Sequence, residues 1–172
     1  METRCYIGIG SNLGDAVANV QSALEQLSIH QQLKLDEYSR LYSSKPHGPQ
    51  NQPDYVNAVA AITTELPAID LLHALFHIEN NHGRERLPNQ HWGPRTLDLD
   101  LLLYGDSIID EPDLKVPHPY LCERSFVVYP LSELNPGLTL PNGTRLQNCK
   151  NQLQGDDLFV LENLSHPSNP IR

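Results

Sequence analysis

The spacing of hydrophobic positions changes twice within the first 43 residues, from a strand-like run to helical spacing and then to strand-like alternation. Residues 5–10 form a short, β-prone run, and residues 11–15 supply turn and helix-capping side chains. Apolar residues then recur at helical spacing at Leu13, Val17, Val20, Leu24 and Leu27. Residues 33–43 alternate between apolar and polar side chains, which predicts a second strand with a possible bulge. The order predicted so far is strand, helix, strand.

The same kinds of segment follow in the next 60 residues. A proline-rich loop over 43–54 precedes an apolar strand at 55–64. Pro67 is suited to a helix start, and Gly83 to its end. The predicted buried face of this second helix consists of Ile69, Leu72, Leu75, Phe76 and Ile78. Leucine and aspartate then alternate in a strand over 96–104, and Gly105 and Asp106 form the turn after it.

The element order βαββαβ predicts an α+β fold of the ferredoxin-like kind, in which an antiparallel sheet carries both helices on one face. We expect a single domain over residues 1–172 with a core at about 4–136. Residues 126–128 form an apolar segment cut by Pro130, and 141–143 predict a hairpin turn. Residues 137–164 are expected to form a C-terminal extension and 165–172 a frayed tail.

Composition limits the class of partner. The 172 residues include 12 Lys and Arg against 21 Asp and Glu, a formal net charge of −9. Nucleic-acid binding depends on clustered basic residues that neutralise phosphates, so nucleic acid is not expected as a partner. An anionic ligand would have to be bound locally. A hydrophobic content of 39% with 19% charged residues is typical of a folded, soluble chain.

Targeting signals and cysteine usage favour the cytoplasm. The first residues lack a basic segment followed by an apolar stretch, and no run approaches the length of a membrane span, so no membrane association is expected. Cys5, Cys122 and Cys149 are odd in number, widely separated and without a C-x-x-C pair. They indicate neither a disulfide framework nor a zinc site, which fits a reducing compartment.

The strongest chemical signal is the acidic pair Asp98 and Asp100. On a strand the two carboxylates share one face, with Cα atoms roughly 6.6 Å apart. Such a pair suits Mg²⁺, which takes carboxylate oxygens and keeps water and substrate phosphates as its other ligands. The Leu-Asp alternation alone favours an amphipathic strand with a solvated acidic face. The neighbouring residues favour the metal site.

Those neighbours are basic side chains suited to phosphate contacts, namely Arg84, Arg86, Arg95, Lys115 and Arg124. Residues 84–124 nevertheless contain five basic and eight acidic side chains, a net charge of −3. A triphosphate would therefore need metal ions to be accommodated here.

Five segments in order, residues 6–14, 52–58, 83–86, 92–100 and 116–119, closely resemble the 6-hydroxymethyl-7,8-dihydropterin pyrophosphokinase family of folate biosynthesis. The Gly-Pro-Arg-x-x-Asp-Leu-Asp signature at 93–100 is specific to it. The resemblance implies transfer of the β,γ-pyrophosphoryl group of ATP to the hydroxymethyl oxygen of the pterin, with release of AMP.

The resemblance also implies roles for individual residues. Asp98 and Asp100 would bind two Mg²⁺ ions, with ATP as co-substrate, and Arg84 and Arg95 would be catalytic. The residues implied to bind the pterin are Ser44, Pro46, His47, Tyr55, Asn57, Trp92 and Phe126, with the ring held between Tyr55 and Phe126. The residues implied to bind ATP are Glu79, Arg86, Leu101, His118 and Arg124, with Glu79 near the ribose.

Two other classes of function remain open from the residues themselves. A Mg²⁺-dependent phosphotransferase, phosphohydrolase or nuclease would also use paired aspartates and arginines. A non-catalytic ferredoxin-like module would bind RNA or a peptide, although the net charge argues against RNA. The expected partners are small molecules, and a monomer is expected, with an oligomer left open.

Overall fold

A computed structural model gives the fold and describes residues 1–45, 53–81, 97–154 and 158–161. The strands are β1 (Thr3–Ser11), β2 (Leu33–Tyr38), β3 (Tyr42–Ser44), β4 (Tyr55–Thr64), β5 (Asp98–Tyr104), β6 (Ile109–Glu111), β7 (Leu114–Val116) and β8 (Phe159–Val160). The helices are α1 (Ala16–Ile29), α2 (Ala68–Asn81), α3 (Ser125–Leu134) and α4 (Leu146–Gln152), with a 3₁₀ turn at Leu121–Glu123.

Six strands form one antiparallel sheet. Their order is β5-β1-β4-β3-β8, and β2 also pairs with β4. The strands β6 and β7 form a separate two-stranded ribbon. The prediction of a mixed α and β fold around an antiparallel sheet is therefore confirmed. The strand β5, which carries the acidic pair, lies at one edge of this sheet.

The predicted second strand is divided into β2 and β3. The expected bulge is present as a register shift between Leu35 and Glu37. Between β2 and β3, the buried Ser39 takes over the contacts with β4. Its N–H donates to the carbonyl oxygen of Val59 at 2.9 Å, and its hydroxyl oxygen accepts the Val59 N–H at 2.9 Å.

The helices α1 and α2 cover one face of the sheet in a large hydrophobic cluster. The side chain of Asp15 caps α1 by accepting the N–H of Ala18 at 3.1 Å. Leu13 lies before the helix and is 45% exposed, so its assignment to the apolar face was wrong. On α2, Ile69 is also exposed, and Leu71 is buried instead. Leu75 and Ile78 are buried as predicted.

The opposite face of the sheet is covered by the C-terminal helices, which the sequence did not predict. The apolar segment 126–128 belongs to α3, and Pro130 lies inside that helix and is buried. The second hydrophobic cluster joins residues of α3, α4 and the sheet: Tyr6, Val59, Ala61, Leu102, Leu103, Leu121, Val127, Val128, Leu131, Leu140, Leu146 and Cys149. Residues beyond 136 therefore contribute to this core.

Cys122 and Cys149 form a disulfide between the 3₁₀ turn and α4, which corrects the expectation of three unpaired cysteines. Their Cα atoms lie 5.3 Å apart across a sequence separation of 27 residues. Tertiary packing brings the two cysteines together, so their spacing in the chain carried no signal. Cys5 is unpaired and buried.

The predicted turn at 141–143 is confirmed. Gly143 has a φ of 91° and donates its N–H to the carbonyl oxygen of Leu140 at 2.8 Å. The predicted helix end at Gly83 and the tail at 165–172 lie outside the described residues. None of the helices within the described ranges is long and apolar enough to cross a membrane.

Candidate active site

Two glycines form the floor of a depression on the α3 side of the sheet. In β1, Gly8 lies opposite Asp100 of β5, and Gly10 lies between Asp98 of β5 and Asn57 of β4. A Cβ atom on Gly10 would lie 3.3 Å from the Asn57 Oδ1 atom. The strand β1 continues through both glycines. Their missing side chains leave the backbone as the floor.

A cavity of about 550 Å³ lies over this floor and extends around the edge strand β5. Among the residues that line it, those predicted from the sequence are Ser44, Tyr55, Asn57, Glu79, Asp98, Asp100, Leu101, His118, Arg124 and Phe126. One cavity thus brings together the described members of the acidic pair, the aromatic pair and the basic group.

Ser44 and Asn57 form the polar wall on one side of the floor. Both are buried, at 5% and 4% exposure, and the Asn57 Nδ2 atom donates to the Ser44 Oγ atom at 2.7 Å. The bond joins β3 to β4 and fixes the orientation of the Asn57 amide. The rings of Tyr55 and Phe126 line the same cavity from β4 and α3.

Asp98 and Asp100 form the opposite wall. Both are half-buried, while Leu99 between them is 2% exposed and Leu101 after them is 4% exposed, within the cluster beneath the sheet. The predicted alternation along β5 is therefore present, with the two carboxylates on the cavity face.

His118 lines the same cavity as the acidic pair and Arg124. Its N–H donates to the carbonyl oxygen of Leu102 at 3.0 Å, which ties it to β5. The His118 Nδ1 atom accepts the N–H of Tyr120 at 3.2 Å. Burial, reinforced by the positive charge of Arg124, lowers the pKa of His118 to about 4, although Asp98 acts in the opposite direction. The ring is therefore neutral near pH 7, with its proton on Nε2.

Arg124 contacts two aromatic rings. Its Cζ atom lies 5.0 Å from the centre of the Tyr120 ring and 5.7 Å from that of Phe126. Cation–π contacts of this kind hold a guanidinium in place without neutralising it. Arg124 can therefore present its positive charge to an anion in the cavity.

Glu79 reaches β5 from α2. It is 1% exposed, and its Oε2 atom accepts the N–H of Leu99 at 2.6 Å. The predicted nucleotide contact of Glu79 stays a prediction.

The remaining predicted site residues lie outside the described residues. They are Pro46, His47, Arg84, Arg86, Trp92 and Arg95. Conversely, sequence reasoning missed Gly8, Gly10, Lys45 and Tyr120 as cavity residues. A signal for the glycines was available, because a period of two along β1 puts Gly8 and Gly10 on one face. Lys45 and Tyr120 had no comparable signal.

Comparison with known proteins identifies the family of this chain. A model of the family described as 7,8-dihydro-6-hydroxymethylpterin-pyrophosphokinase matches residues 6–136. A 2-amino-4-hydroxy-6-hydroxymethyldihydropteridine pyrophosphokinase of Haemophilus influenzae is 50% identical over 156 residues, which cover 91% of this chain and 96% of the relative. The protein of the same name from Pseudomonas aeruginosa is 47% identical over 146 residues, covering 85% and 89%.

Solved structures agree on the fold. The wild-type HPPK-DHPS of Plasmodium falciparum with STZ-DHP matches with a TM-score of 0.70 at 12% identity. The match covers 88% of this chain and 43% of that longer chain. The family match and the two bacterial relatives extend over most of the sequence, and so this chain belongs to the 7,8-dihydro-6-hydroxymethylpterin-pyrophosphokinase family.

Proposed function

We propose that this chain carries out the reaction of its family, the transfer of pyrophosphate from ATP to the hydroxymethyl group of 6-hydroxymethyl-7,8-dihydropterin in folate biosynthesis. The products are the pterin pyrophosphate and AMP. One observation carries the proposal: a single cavity joins an acidic pair suited to metal-bound phosphate with an aromatic and amide-lined pocket suited to a flat heterocycle. The two reactants would meet over Gly8 and Gly10.

The pterin binds on the Asn57 side of the cavity. The flat rings of Tyr55 and Phe126 suit stacking on both faces of a heterocycle, because such rings bury a large area with few rotatable bonds. Asn57 offers an amide donor and an acceptor to the edge of the pterin, oriented by the bond to Ser44. The family resemblance implies that Pro46, His47 and Trp92 also bind the pterin.

Mg²⁺ is the metal that the acidic pair fits. No group of three or more His, Cys, Asp or Glu side chains among the described residues could hold a metal, so the donor set is two carboxylates beside an open cavity. This set suits a hard cation that keeps water and phosphate oxygens as its remaining ligands. Asp98 and Asp100 would hold two ions. When bound, Mg²⁺ would neutralise the phosphates and polarise the transferred group.

ATP binds on the His118 side of the cavity. The neutral His118 ring carries its proton on Nε2, because Nδ1 accepts the Tyr120 N–H, and it can donate this proton in a hydrogen bond to a phosphate oxygen. Arg124 supplies a positive charge that is held by Tyr120 and Phe126. Glu79, Arg86 and Leu101 are the other nucleotide contacts that the resemblance implies.

The reaction is a direct in-line attack of the pterin hydroxymethyl oxygen on the β-phosphorus of ATP. The new O–P bond forms as the bond from the β-phosphorus to the α,β-bridging oxygen breaks, AMP leaves with that oxygen, and the hydroxyl proton passes to solvent. The Tyr55 and Phe126 rings orient the acceptor, and such positioning contributes about 7–11 kcal/mol to barrier lowering in favourable cases. Arg84 and Arg95 stabilise negative charge that develops on the transferred group, together with Arg124.

The finer structural assignments belong to the same proposal. The pairing order β5-β1-β4 followed by β2 and β3, with α1 and α2 on one face, supports a ferredoxin-like core. The chain is a single cytoplasmic domain that acts on small molecules as a monomer, without nucleic acid or membrane.

A product assay tests the proposal. The protein is incubated with ATP, Mg²⁺ and the reduced hydroxymethylpterin, and AMP and the pterin pyrophosphate are quantified. We expect AMP only when the pterin is present, in a 1:1 ratio to the pterin product. Release of phosphate or AMP without the pterin would support a phosphohydrolase instead, and absence of the pterin pyrophosphate would refute the proposal.

A further inference from the structure

A buried carboxyl group contacts the backbone between the two acidic side chains. Glu79 projects from α2, is 1% exposed, and accepts the N–H of Leu99 at 2.6 Å through its Oε2 atom. Leu99 separates Asp98 from Asp100 on β5. The Glu79 carboxyl is thus joined to the strand at the midpoint of the acidic pair.

The position of β5 in the sheet explains why this contact matters. In an antiparallel ladder, the N–H groups of successive residues point alternately toward and away from the neighbouring strand. The strand β5 is an edge strand that pairs with β1, and the Leu99 N–H points to Glu79. Since Leu99 is 2% exposed, its N–H needs a partner within the protein. Glu79 provides the partner that a further strand would otherwise supply.

We propose that Glu79 is a positioning residue for the metal pair: its hydrogen bond to the Leu99 N–H fixes β5 so that Asp98 and Asp100 face the cavity together. The inference rests on the proposed function and adds a residue that acts through the backbone of β5. Without the bond, the edge strand can move away from Glu79. The carboxylates of Asp98 and Asp100 then lose their fixed positions opposite Gly10 and Gly8.

Chemistry distinguishes this role from simple packing. A buried carboxyl is a costly choice where packing alone is required, because an apolar side chain of similar size fills the space without desolvating a polar group. The role needs a hydrogen-bond acceptor at the right distance. Glutamine keeps that acceptor, aspartate shortens the reach by one methylene group, and leucine removes the acceptor altogether.

The test compares Glu79→Gln, Glu79→Asp and Glu79→Leu with the matched control Ser39→Ala. Ser39 lies in the chain between β2 and β3 and is also buried. Its hydroxyl oxygen accepts the N–H of Val59 on β4, so it makes the same kind of contact away from the acidic pair. Three quantities are measured: Mn²⁺ binding in the absence of nucleotide, hydrogen exchange of the Leu99 amide, and the affinity for a non-hydrolysable ATP analogue, which reports a direct nucleotide contact of Glu79 separately.

We expect Glu79→Leu to raise the Mn²⁺ dissociation constant at least fivefold and to accelerate Leu99 exchange at least tenfold. Glu79→Gln should keep both of these quantities within twofold of the parent values, whatever its effect on ATP affinity, and Glu79→Asp should lie between. Ser39→Ala should lower stability without changing the Mn²⁺ dissociation constant. Pterin affinity without metal should be unchanged in all four variants.

Several outcomes would overturn the inference. One is a Glu79→Leu protein with a normal Mn²⁺ dissociation constant, and another is a Glu79→Gln protein whose Mn²⁺ binding and Leu99 exchange are as impaired as those of Glu79→Leu. If Glu79→Leu does not fold, Glu79→Asp with normal Leu99 exchange and normal Mn²⁺ binding refutes the role. Failure of the proposed function is recognised separately, because the parent protein would then form no pterin pyrophosphate while Mn²⁺ binding and Leu99 exchange still report on Glu79.

Discussion

The Asn57 Nδ2 atom donates a 2.7 Å hydrogen bond to the Ser44 Oγ atom, and both residues are buried at the wall of the cavity. This bond couples the short strand β3 to β4 at the place where the pterin edge is proposed to bind. It also determines which side of the amide faces Ser44, so the remaining amide oxygen has a defined position above Gly10.

Replacing Ser44 by alanine should weaken pterin binding about fivefold. A neutral hydrogen bond contributes about 0.5–1.5 kcal/mol, and its loss lets the Asn57 amide rotate away from the orientation that binds the pterin. Fluorescence titration with the pterin measures the dissociation constant. Ser43→Ala, one position earlier and on the opposite face of β3, is the control. Equal affinities of the two variants would contradict the orienting role.

A side chain at Gly10 should disturb the floor. The Cβ atom of Gly10→Ala would lie 3.3 Å from the Asn57 Oδ1 atom and 3.7 Å from the Tyr55 ring, so Asn57 must shift. Overpacking of this kind costs about 1–3 kcal/mol, and we expect pterin affinity to fall at least fivefold. Gly137→Ala, where a Cβ atom meets nothing within 4 Å, serves as the control. An unaltered dissociation constant for Gly10→Ala would show that the floor tolerates a methyl group.

Neutralising either member of the acidic pair should abolish most of the activity. Asp98→Asn and Asp100→Asn each remove one charged ligand, and we expect turnover to fall at least about 100-fold, as for the loss of one electrostatic stabiliser. Steady-state kinetics at saturating Mg²⁺ measures this. Asp106→Asn, in the exposed turn after β5, should retain normal turnover. Near-normal turnover of a folded Asp98 or Asp100 variant would refute the assignment as metal ligands.

His118 should make the metal-free protein less stable in mild acid. Its folded-state pKa of about 4 lies below the ordinary value of 6.5, so between these values the unfolded chain binds a proton that the folded chain does not. The free energy of unfolding should therefore fall as the pH decreases from about 6.5 to 4. Above about pH 6.5 the contribution of His118 to that free energy should be complete and independent of pH. Denaturant titrations across this window measure the slope.

His118→Gln should flatten that slope. His30→Gln is a matched control, because the His30 Nδ1 atom accepts the N–H of Gln32 at 3.1 Å in the same local arrangement, but at the end of α1. The ring resonances of His118 should titrate near pH 4, and Arg124→Gln should raise this value by removing the neighbouring positive charge. A His118 ring that titrates at its ordinary pKa would contradict the burial argument.

Sequence periodicity was sufficient for features that depend on local alternation. The two-residue period along β5 correctly put Leu99 and Leu101 in the core and both aspartates on the opposite face. The span 55–64 was predicted as a strand and is one. Along residues 98–101 of β5 each side chain has a single suitable environment, because one face is buried and the other is polar. The strand β4 is instead a continuous apolar run that is buried on both faces.

Periodicity failed where packing between distant segments decided the outcome. On α2, packing against the sheet buries Leu71 and leaves Ile69 exposed, although both are apolar. The disulfide of Cys122 with Cys149 depends on how the 3₁₀ turn meets α4. The Glu79 contact with β5 likewise requires two elements to be docked before it can be recognised.

The glycine floor has a consequence for the thermodynamics of ligand binding. Gly8 and Gly10 have no side-chain rotamers, and β1 is paired on both sides, with β4 and β5, so its backbone is already ordered before a ligand arrives. A ligand that settles on this surface therefore restricts no side-chain torsion beneath it, whereas ordering a flexible side chain costs about 0.5–1.5 kcal/mol. The conformational entropy of these residues was lost when the sheet folded. Ligand binding does not reduce it further, so the free energy of contact with the floor contributes fully to affinity.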